Sequence, residues 1–270
     1  MKKKRLIPVL LLKNGWLVQS KDFSRYQNLG NPFTAVKRLS EWAADELIYL
    51  DISKDDKYDT NRDDQAYANH QTFLEIIKDV CKSAFMPITV GGKIKSIEDI
   101  EKRLSFGADK ISINSIALSK PKFVEEAVKE FGSQCIVLSI DVKFLKNKHF
   151  VFSHEKSDIS NYEVLEWSKK MEDLGVGEIF LNSIDRDGSG KGYDIDLLNK
   201  VSNNLSIPVI ACGGVGKWEH LSEALKKTKV DAVAAANIFH YTDQSIFIAK
   251  KYLFEQGLSI RKPDLIEVNK

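Results

Sequence analysis

Residues 87–92 read Pro-Ile-Thr-Val-Gly-Gly, and a closely similar pattern, Pro-Val-Ile-Ala-Cys-Gly-Gly, returns at residues 208–214. In both places an apolar run ends in two glycines, which is typical of a buried parallel strand followed by a tight turn. Residues 45–50 likewise resemble residues 177–182, and residues 107–114 resemble residues 229–236. Each pair is separated by about half of the chain, so the sequence predicts two related halves of one fold.

Short apolar runs alternate with amphipathic stretches over the whole chain. We predict strands at residues 5–12, 46–51, 86–90, 110–114, 135–141, 178–182, 207–212 and 232–236. Predicted helices cover residues 33–44, 67–82, 121–131, 163–174, 195–203, 218–227 and 243–256, with one more beginning at Ser96. Eight strand–helix units predict an α/β fold, a (β/α)₈ TIM barrel made of two half-barrels, spanning residues 1–270 as one domain.

The alternative to the barrel is an open, doubly wound sheet, which would need a switch point that the even spacing of the units does not suggest. Residues 54–69 and 146–160 are predicted to be long loops within the domain.

The composition excludes several classes of protein. Forty Lys and Arg residues against thirty-eight Asp and Glu give a net charge of +2, which argues against a nucleic-acid partner. No apolar run approaches the ~18 residues of a membrane span. The three cysteines and five histidines show no disulfide framework and no metal-ligand spacing. We therefore predict a cytoplasmic protein without a metal or another cofactor.

In a barrel of this kind, the chemistry lies where the strands end. Glycine there lets backbone N–H groups approach a phosphate, and two symmetry-related groups favour a ligand with two phosphates. The alternative is that these glycines only satisfy turn geometry. The candidate binding residues are Asp51, Gly92, Asn114, Ser115, Asp187, Gly188, Gly213, Gly214, Ala236 and Asn237.

Asp141 is the strongest acid–base candidate, because it ends a buried apolar strand where a carboxylate needs a reason to be present. The alternative is a hydrogen-bonded loop anchor. Aligning the two halves places Leu11 opposite Asp141, so a mechanism with paired carboxylates would lack one member. His154 follows the fifth strand and could contact a substrate, although a solvated side chain is the favoured interpretation.

Several motifs follow one another in a recognisable order: Arg5, Asp45-Glu-Leu, Val90-Gly-Gly, residues 107–114, Phe131-Gly-Ser-Gln, Ser183-Ile-Asp-Arg-Asp-Gly, Gly192-Tyr-Asp and Cys212-Gly-Gly-Val-Gly-Lys. In order and spacing they resemble the cyclase subunit of imidazole glycerol phosphate synthase. The resemblance implies a barrel that receives ammonia from a glutaminase subunit on its bottom face. It also implies a bis-phosphate substrate on the top face, cyclised and cleaved in histidine biosynthesis.

The resemblance assigns roles to individual positions. It implies that Asp141 is one of two catalytic aspartates and that Asp109 lies at the glutaminase interface. It also implies that a ring of four charged residues gates the ammonia passage, where the alternative is an ordinary salt-bridge plug. The matching positions in this sequence are Arg5, Glu46, Lys110 and Glu178.

The departures from the family all fall on the top face. Leu11 stands in place of the other catalytic aspartate, Lys93 in place of a third glycine, and Asn182 and Asn237 in place of hydroxyl residues. Losing a positioned general acid or base typically costs ~10²–10⁴ in rate. The cyclase step is therefore in doubt.

The stretch Pro8-Val-Leu-Leu-Leu-Lys is similar to a paralogous branch of this family. Those barrels supply ammonia from a glutaminase for amidino groups on bacterial surface sugars, such as those of lipopolysaccharide, together with a separate sugar amidotransferase. We favour this function. A genuine histidine-pathway cyclase and a non-catalytic scaffold that binds a phosphorylated ligand are the alternatives.

Overall fold

The computed structural model of the chain describes residues 2–21, 25–58, 70–240 and 245–264. Its strands are β1 (Arg5–Lys13), β2 (Trp16–Lys21), β3 (Arg25–Gly30), β4 (Leu47–Asp51), β5 (Ile88–Gly91), β6 (Lys110–Ile113), β7 (Ile136–Leu145), β8 (Lys148–Ser153), β9 (Asp158–Glu163), β10 (Glu178–Ser183), β11 (Val209–Cys212) and β12 (Ala232–Ala235).

The helices are α1 (Pro32–Glu41), α2 (Phe73–Ser83), α3 (Ile97–Ser105), α4 (Ser115–Ser119), α5 (Lys122–Phe131), α6 (Val164–Asp173), α7 (Ile195–Ser202), α8 (Trp218–Lys227) and α9 (Ile246–Glu255). Among the described residues, no helix has both the length and the apolar character needed to cross a membrane.

Eight of the strands form a closed parallel barrel in the order β1-β4-β5-β6-β7-β10-β11-β12. The barrel closes because β12 also pairs with β1, with Arg5 opposite Ala232 and Ile7 opposite Ala234. The predicted (β/α)₈ barrel is confirmed, and the open doubly wound sheet is excluded because this sheet has no free edge within the barrel.

Two antiparallel hairpins extend the barrel at its top edge, and they occupy equivalent places in the two halves. Strands β2 and β3 follow β1, while β8 and β9 follow β7. Asn14–Gly15 joins β1 to β2, and Lys146–Asn147 joins β7 to β8. All four residues have positive φ angles, as a two-residue I′ turn requires. The prediction of a loop over residues 146–160 is therefore wrong, since β8 and the start of β9 lie there.

Most other predicted elements agree with the structure to within a few residues. Two predicted strands begin later, at Ile88 and Val209, because each is preceded by a proline that has no N–H to donate to the ladder. The predicted caps are present, with Asn31 accepting from the N–H of Phe33 and Ser96 forming a capping box with Asp99. Residues 59–69 of a predicted loop, residues 67–69 of a predicted helix and residues 243–244 of another lie outside the described residues.

The barrel strands bury side chains on both faces, one towards the helices and one towards the barrel axis. This explains why the strands read as continuous apolar runs instead of alternating with polar residues. The axis-facing cluster is separate from the core between sheet and helices. It consists of Ile7, Val9, Ile48, Val137, Phe180, Ile210, Ala232 and Ala234.

Three aspartates anchor the lower edge of the sheet by the same two-way bond. The N–H of Asp109 donates to the carbonyl of Ile88 at 2.9 Å, and the Asp109 carboxylate accepts from the N–H of Ile88 at 2.8 Å. Asp45 makes the equivalent pair with Leu6, and Asp231 with Val209. This recurrence in both halves explains the repeated aspartate of residues 107–114 and 229–236.

Lys250 on α9 is a fully buried cation that ties the last helix to the barrel. Its Nζ lies 2.5 Å from Asp45 Oδ1 and donates to the carbonyl of Ala43 at 2.8 Å. Burial lowers the pKa of Lys250, and the nearby Asp45 carboxylate opposes this effect. A buried charge of this kind is tolerated because it is both paired and hydrogen-bonded.

We predict that Lys250→Met destabilises the protein by about 3–5 kcal/mol, because Asp45 is left buried with a weaker set of partners. Lys251→Met is the matched control: the Lys251 side chain is 60% exposed and pairs loosely with Glu255, so about 0–1 kcal/mol is expected. Urea unfolding measures both values. Equal losses in the two variants would contradict the structural role of Lys250.

Candidate functional site

Four charged side chains form a closed ring at the bottom of the barrel. Arg5 Nη1 lies 2.7 Å from Glu46 Oε1, and its Nη2 contacts Glu178 Oε1. Lys110 Nζ lies 3.1 Å from Glu46 Oε2 and 3.1 Å from Glu178 Oε2. Each cation therefore bridges both carboxylates, and each carboxylate uses one oxygen for each cation.

The ring is neutral as a whole and is largely withdrawn from solvent, with side chains only 7–21% exposed. Burial by itself would lower the pKa of Arg5, but hydrogen bonds and charge attraction from Glu178 and Glu46 outweigh it, so the pKa is raised. All four residues sit at or next to strand starts, and the sequence resemblance predicted this set. Its geometry fits both a gate and a salt-bridge plug.

Asp141 lies at the opposite end of the barrel, buried and surrounded by donors from three different elements. Asn182 Nδ2 donates to Oδ1 at 2.8 Å, and Asn114 Nδ2 donates to Oδ2 at 2.7 Å. His154 Nε2 lies 2.8 Å from the same Oδ2. The structure thus brings the predicted residues Asp141 and Asn114 together.

His154 is the residue at this site that the sequence reasoning undervalued. The sequence prediction of a solvated side chain missed its contacts: the side chain is 39% exposed, but its imidazole bonds to the buried Asp141 and packs edge-on against Phe152. The hydrogen bond that His154 donates to Asp141 raises the pKa of His154, although partial burial opposes it. The β8–β9 turn carries His154 back over the mouth, so recognising that hairpin would have exposed the contact.

Asp51, at the end of β4, is the centre of a second polar group at the mouth. It accepts from the hydroxyl of Tyr58 at 2.8 Å, and Lys93 Nζ lies 3.5 Å away. Lys93 also pairs with Asp56 at 3.3 Å and donates to the carbonyl of Asp55. Lys93, which stands in place of a third glycine, therefore has its charge paired with the segment that follows β4.

The hairpin β2–β3 covers the predicted residues of the second half. Ser20 contacts Asp187 through its hydroxyl at 3.4 Å, and its carbonyl accepts from Asn237 Nδ2 at 2.6 Å. A Cβ added to Gly188 would lie 3.0 Å from Lys21 Cα, so this glycine allows close approach of the hairpin. The sequence reasoning did not find the hairpin as a cover of this site.

The glycines after β11 are required by backbone geometry. Gly213 and Gly214 both have a φ of +97°, and a Cβ on Gly214 would lie 2.2 Å from the carbonyl oxygen of Gly192. These glycines therefore satisfy the geometry of the turn, which was the alternative to phosphate binding. A phosphate-binding role for them stays a prediction. Ala236 follows β12 directly, and Ser115 is the first residue of α4.

Leu11 on β1 stands where the family resemblance implies a second catalytic aspartate. It is partly buried, lies opposite Leu50 on β4 and Val18 on β2, and packs beside the axis-facing cluster. Cys212 is also unsuited to proton chemistry, because burial raises the pKa of its thiol. Asp109 is exposed at the bottom face, where its proposed contact with a glutaminase stays a prediction.

One comparison with known proteins identifies relatives of the chain. The family model described as “Histidine biosynthesis protein” matches residues 5–245. The match includes all four ring residues and the polar groups at the mouth.

Gly92→Ala tests how tightly the mouth is built. Gly92 has a φ of +101°, and a Cβ there would lie 2.2 Å from the backbone carbonyl oxygen of Asp51. Gly30→Ala is the matched control, because Gly30 has a φ of +100° and nothing within 4 Å of the added Cβ. We expect about 1–2 kcal/mol from backbone strain in the control and a clearly larger loss for Gly92→Ala, measured by urea unfolding. Equal losses would contradict the close approach.

Proposed function

Because the chain belongs to the histidine biosynthesis protein family, we propose that it is the ammonia-receiving barrel of a glutamine amidotransferase complex. A glutaminase subunit delivers ammonia at the bottom face, and a sugar amidotransferase uses it to form an amidino group on a bacterial surface sugar. The observation that carries this proposal is the closed ring of Arg5, Glu46, Lys110 and Glu178 below a mouth that lacks the carboxylate expected at Leu11.

The barrel interior supports passage of a small polar molecule. Thr89 pairs with Ile48, Ser112 with Val137, and Ser139 with Phe180. Residues paired in register on parallel strands point to the same face, so these hydroxyl residues face the axis with the apolar cluster. Thr89 pairs in register with Lys110, whereas Ser112 and Ser139 lie further along β6 and β7 towards Asp141. Such a lining suits neutral ammonia better than an ion.

The bottom face supports docking of a partner. Phe85, in the connection between α2 and β5, is 63% exposed, more than any other large apolar side chain among the described residues. It borders a groove lined by Met86, Gly107 and Asp109, close to the strand starts that carry the ring. Phe85 would give a docked subunit an apolar side chain to bury beside this groove.

The histidine-pathway cyclase is the second candidate function. Asp141, Asn114 and the glycine turns after β5 and β11 favour it, because they retain much of the mouth that the family resemblance implies. Against it, Leu11 has no group that could transfer a proton to or from a substrate across the mouth.

We predict that Lys110→Met uncouples the complex. Removing this cation breaks the ring and leaves Glu46 and Glu178 paired with Arg5 alone, so the ring should no longer control the entry of ammonia from the glutaminase. With the glutaminase and glutamine, we expect a several-fold loss of glutaminase stimulation or a matching release of ammonia to solvent. Lys110→Arg should largely restore coupling.

Lys122→Met is the control, because Lys122 is exposed on α5. Circular dichroism melts establish that all variants are folded. Wild-type coupling in Lys110→Met would contradict the gate and favour a salt-bridge plug.

We further predict that the wild-type chain forms no imidazole glycerol phosphate at a robust rate from the histidine-pathway intermediate and ammonium chloride. Leu11→Asp should then gain activity over Leu11→Asn, which has a similar shape but transfers no proton; a restored acid–base group is worth up to ~10²–10⁴ in rate. Robust turnover by the wild type would favour the cyclase.

A further inference from the structure

The mouth of the barrel holds a hydrogen-bonded pair of titratable side chains, Asp141 and His154, that a simple ammonia passage does not need. Asp141 receives three N–H donors, from Asn182 on one oxygen and from Asn114 and His154 on the other. Both oxygens of the buried Asp141 carboxylate are therefore already engaged.

The two members of the pair differ in access to the mouth. The Asp141 side chain is 8% exposed, whereas the His154 side chain is 39% exposed. Asp141 is therefore placed to orient the imidazole, and His154 is the member that a ligand in the mouth can reach. This arrangement matches the general pattern in which a buried carboxylate holds a histidine base.

A neighbouring atom points to a ligand that donates N–H bonds. Asn182 Oδ1 is buried and has no hydrogen-bond partner among the residues that the structure describes. A buried carbonyl oxygen without a donor is costly unless a ligand or water satisfies it. Gly213 packs close to this oxygen, since a Cβ there would lie 3.1 Å from it and 2.7 Å from the backbone oxygen of Ser183. A donor that reaches this oxygen must therefore be small, as ammonia is.

We propose that His154 is a catalytic acid–base residue, oriented by Asp141, which takes the proton released when ammonia adds to a carbonyl or imine carbon of a ligand in the barrel mouth. The barrel then performs a reaction step of its own and is more than a passage. The nitrogen lone pair forms the C–N bond, and the π electron pair moves to the oxygen or nitrogen of the ligand. The adduct is zwitterionic: its ammonium group loses one N–H proton to the imidazole, and the imidazolium returns a proton to the oxygen or nitrogen that gained the electron pair. No oxidant is needed.

The proposal rests on the proposed function only for the source of the ammonia. It reverses the roles suggested by the sequence, since Asp141 becomes a positioning residue and His154 the proton carrier.

The charged surroundings of His154 set the expected pH dependence. Asp141 on β7 is the charged group that bonds to the imidazole, Asn114 and Asn182 are neutral, and Glu155 and Lys156 on the same turn are exposed. Because the pKa of His154 is raised, the neutral base form of its imidazole becomes the main form only at a pH above 6.5, the ordinary pKa of histidine. The rate should therefore rise with pH through the raised pKa, and Asp141→Asn should move that limb to lower pH.

The first experiment measures the pair directly. Imidazole NMR titration of the full chain, with His154→Gln to assign the signal, should show His154 titrating above 6.5 and shifting downward in Asp141→Asn. Titration at or below the ordinary value, with no response to Asp141→Asn, would overturn the proposal.

The second experiment measures function in cells that lack the chromosomal copy of this chain. We expect His154→Gln to lower the amidino content of the surface sugar by about 10-fold or more, by mass spectrometry, while glutaminase stimulation by the purified variant is unchanged. His149→Gln is the matched control. His149 Nε2 lies 3.1 Å from Asp194 Oδ2, and this histidine is not part of the Asp141 group. Normal amidino content with His154→Gln would overturn the proposal.

The two proposals fail differently in this experiment. If the deletion leaves the surface sugar unchanged but makes the cells require histidine, the proposed function fails. His154→Gln is then scored by growth without histidine, where normal growth overturns the role of His154 and poor growth supports it.

Discussion

Closure of the parallel sheet is the constraint on which the rest of this structure depends. Once β12 pairs with β1, every barrel strand has two neighbours, and the side chains that point inward must fill the axis. Apolar residues and three hydroxyl side chains fill the middle of the axis, and the charged groups lie at its two ends. The charged ring and the Asp141 group are thus at opposite ends because the same closed sheet separates them.

The two ends solve the cost of burying polar groups in different ways. At the bottom, two cations and two carboxylates satisfy one another in a closed ring, which needs no ligand to be complete. At the top, two side-chain amides and an imidazole surround one carboxylate. The side-chain oxygen Oδ1 of Asn182 is left without a donor among the described residues. An electrostatically complete end suits control of passage, whereas an incomplete end suits binding.

The sequence predicted the barrel well because its signals are local. Strands buried on both faces give continuous apolar runs, and helices give amphipathic stretches, so the predicted helix at residues 218–227 coincides with α8. The hairpins could also have been predicted, since Asn14-Gly15 between apolar residues is a strong hairpin signal. Strands β8 and β9 were predicted as a loop because their segment is polar and long polar loops are common at the mouths of barrels.

By itself, the sequence determined the strand–helix order, the two related halves, the family resemblance and the absence of a carboxylate at Leu11. Each of these follows from residue type, period or spacing along the chain. Only the tertiary structure decided that His154 bonds to Asp141, that four charges close into one ring, and that Lys250 neutralises Asp45 from 205 residues away. These contacts depend on where closure places distant side chains, and hydrogen bonds and ion pairs act over a few ångströms of space, whatever the distance along the chain.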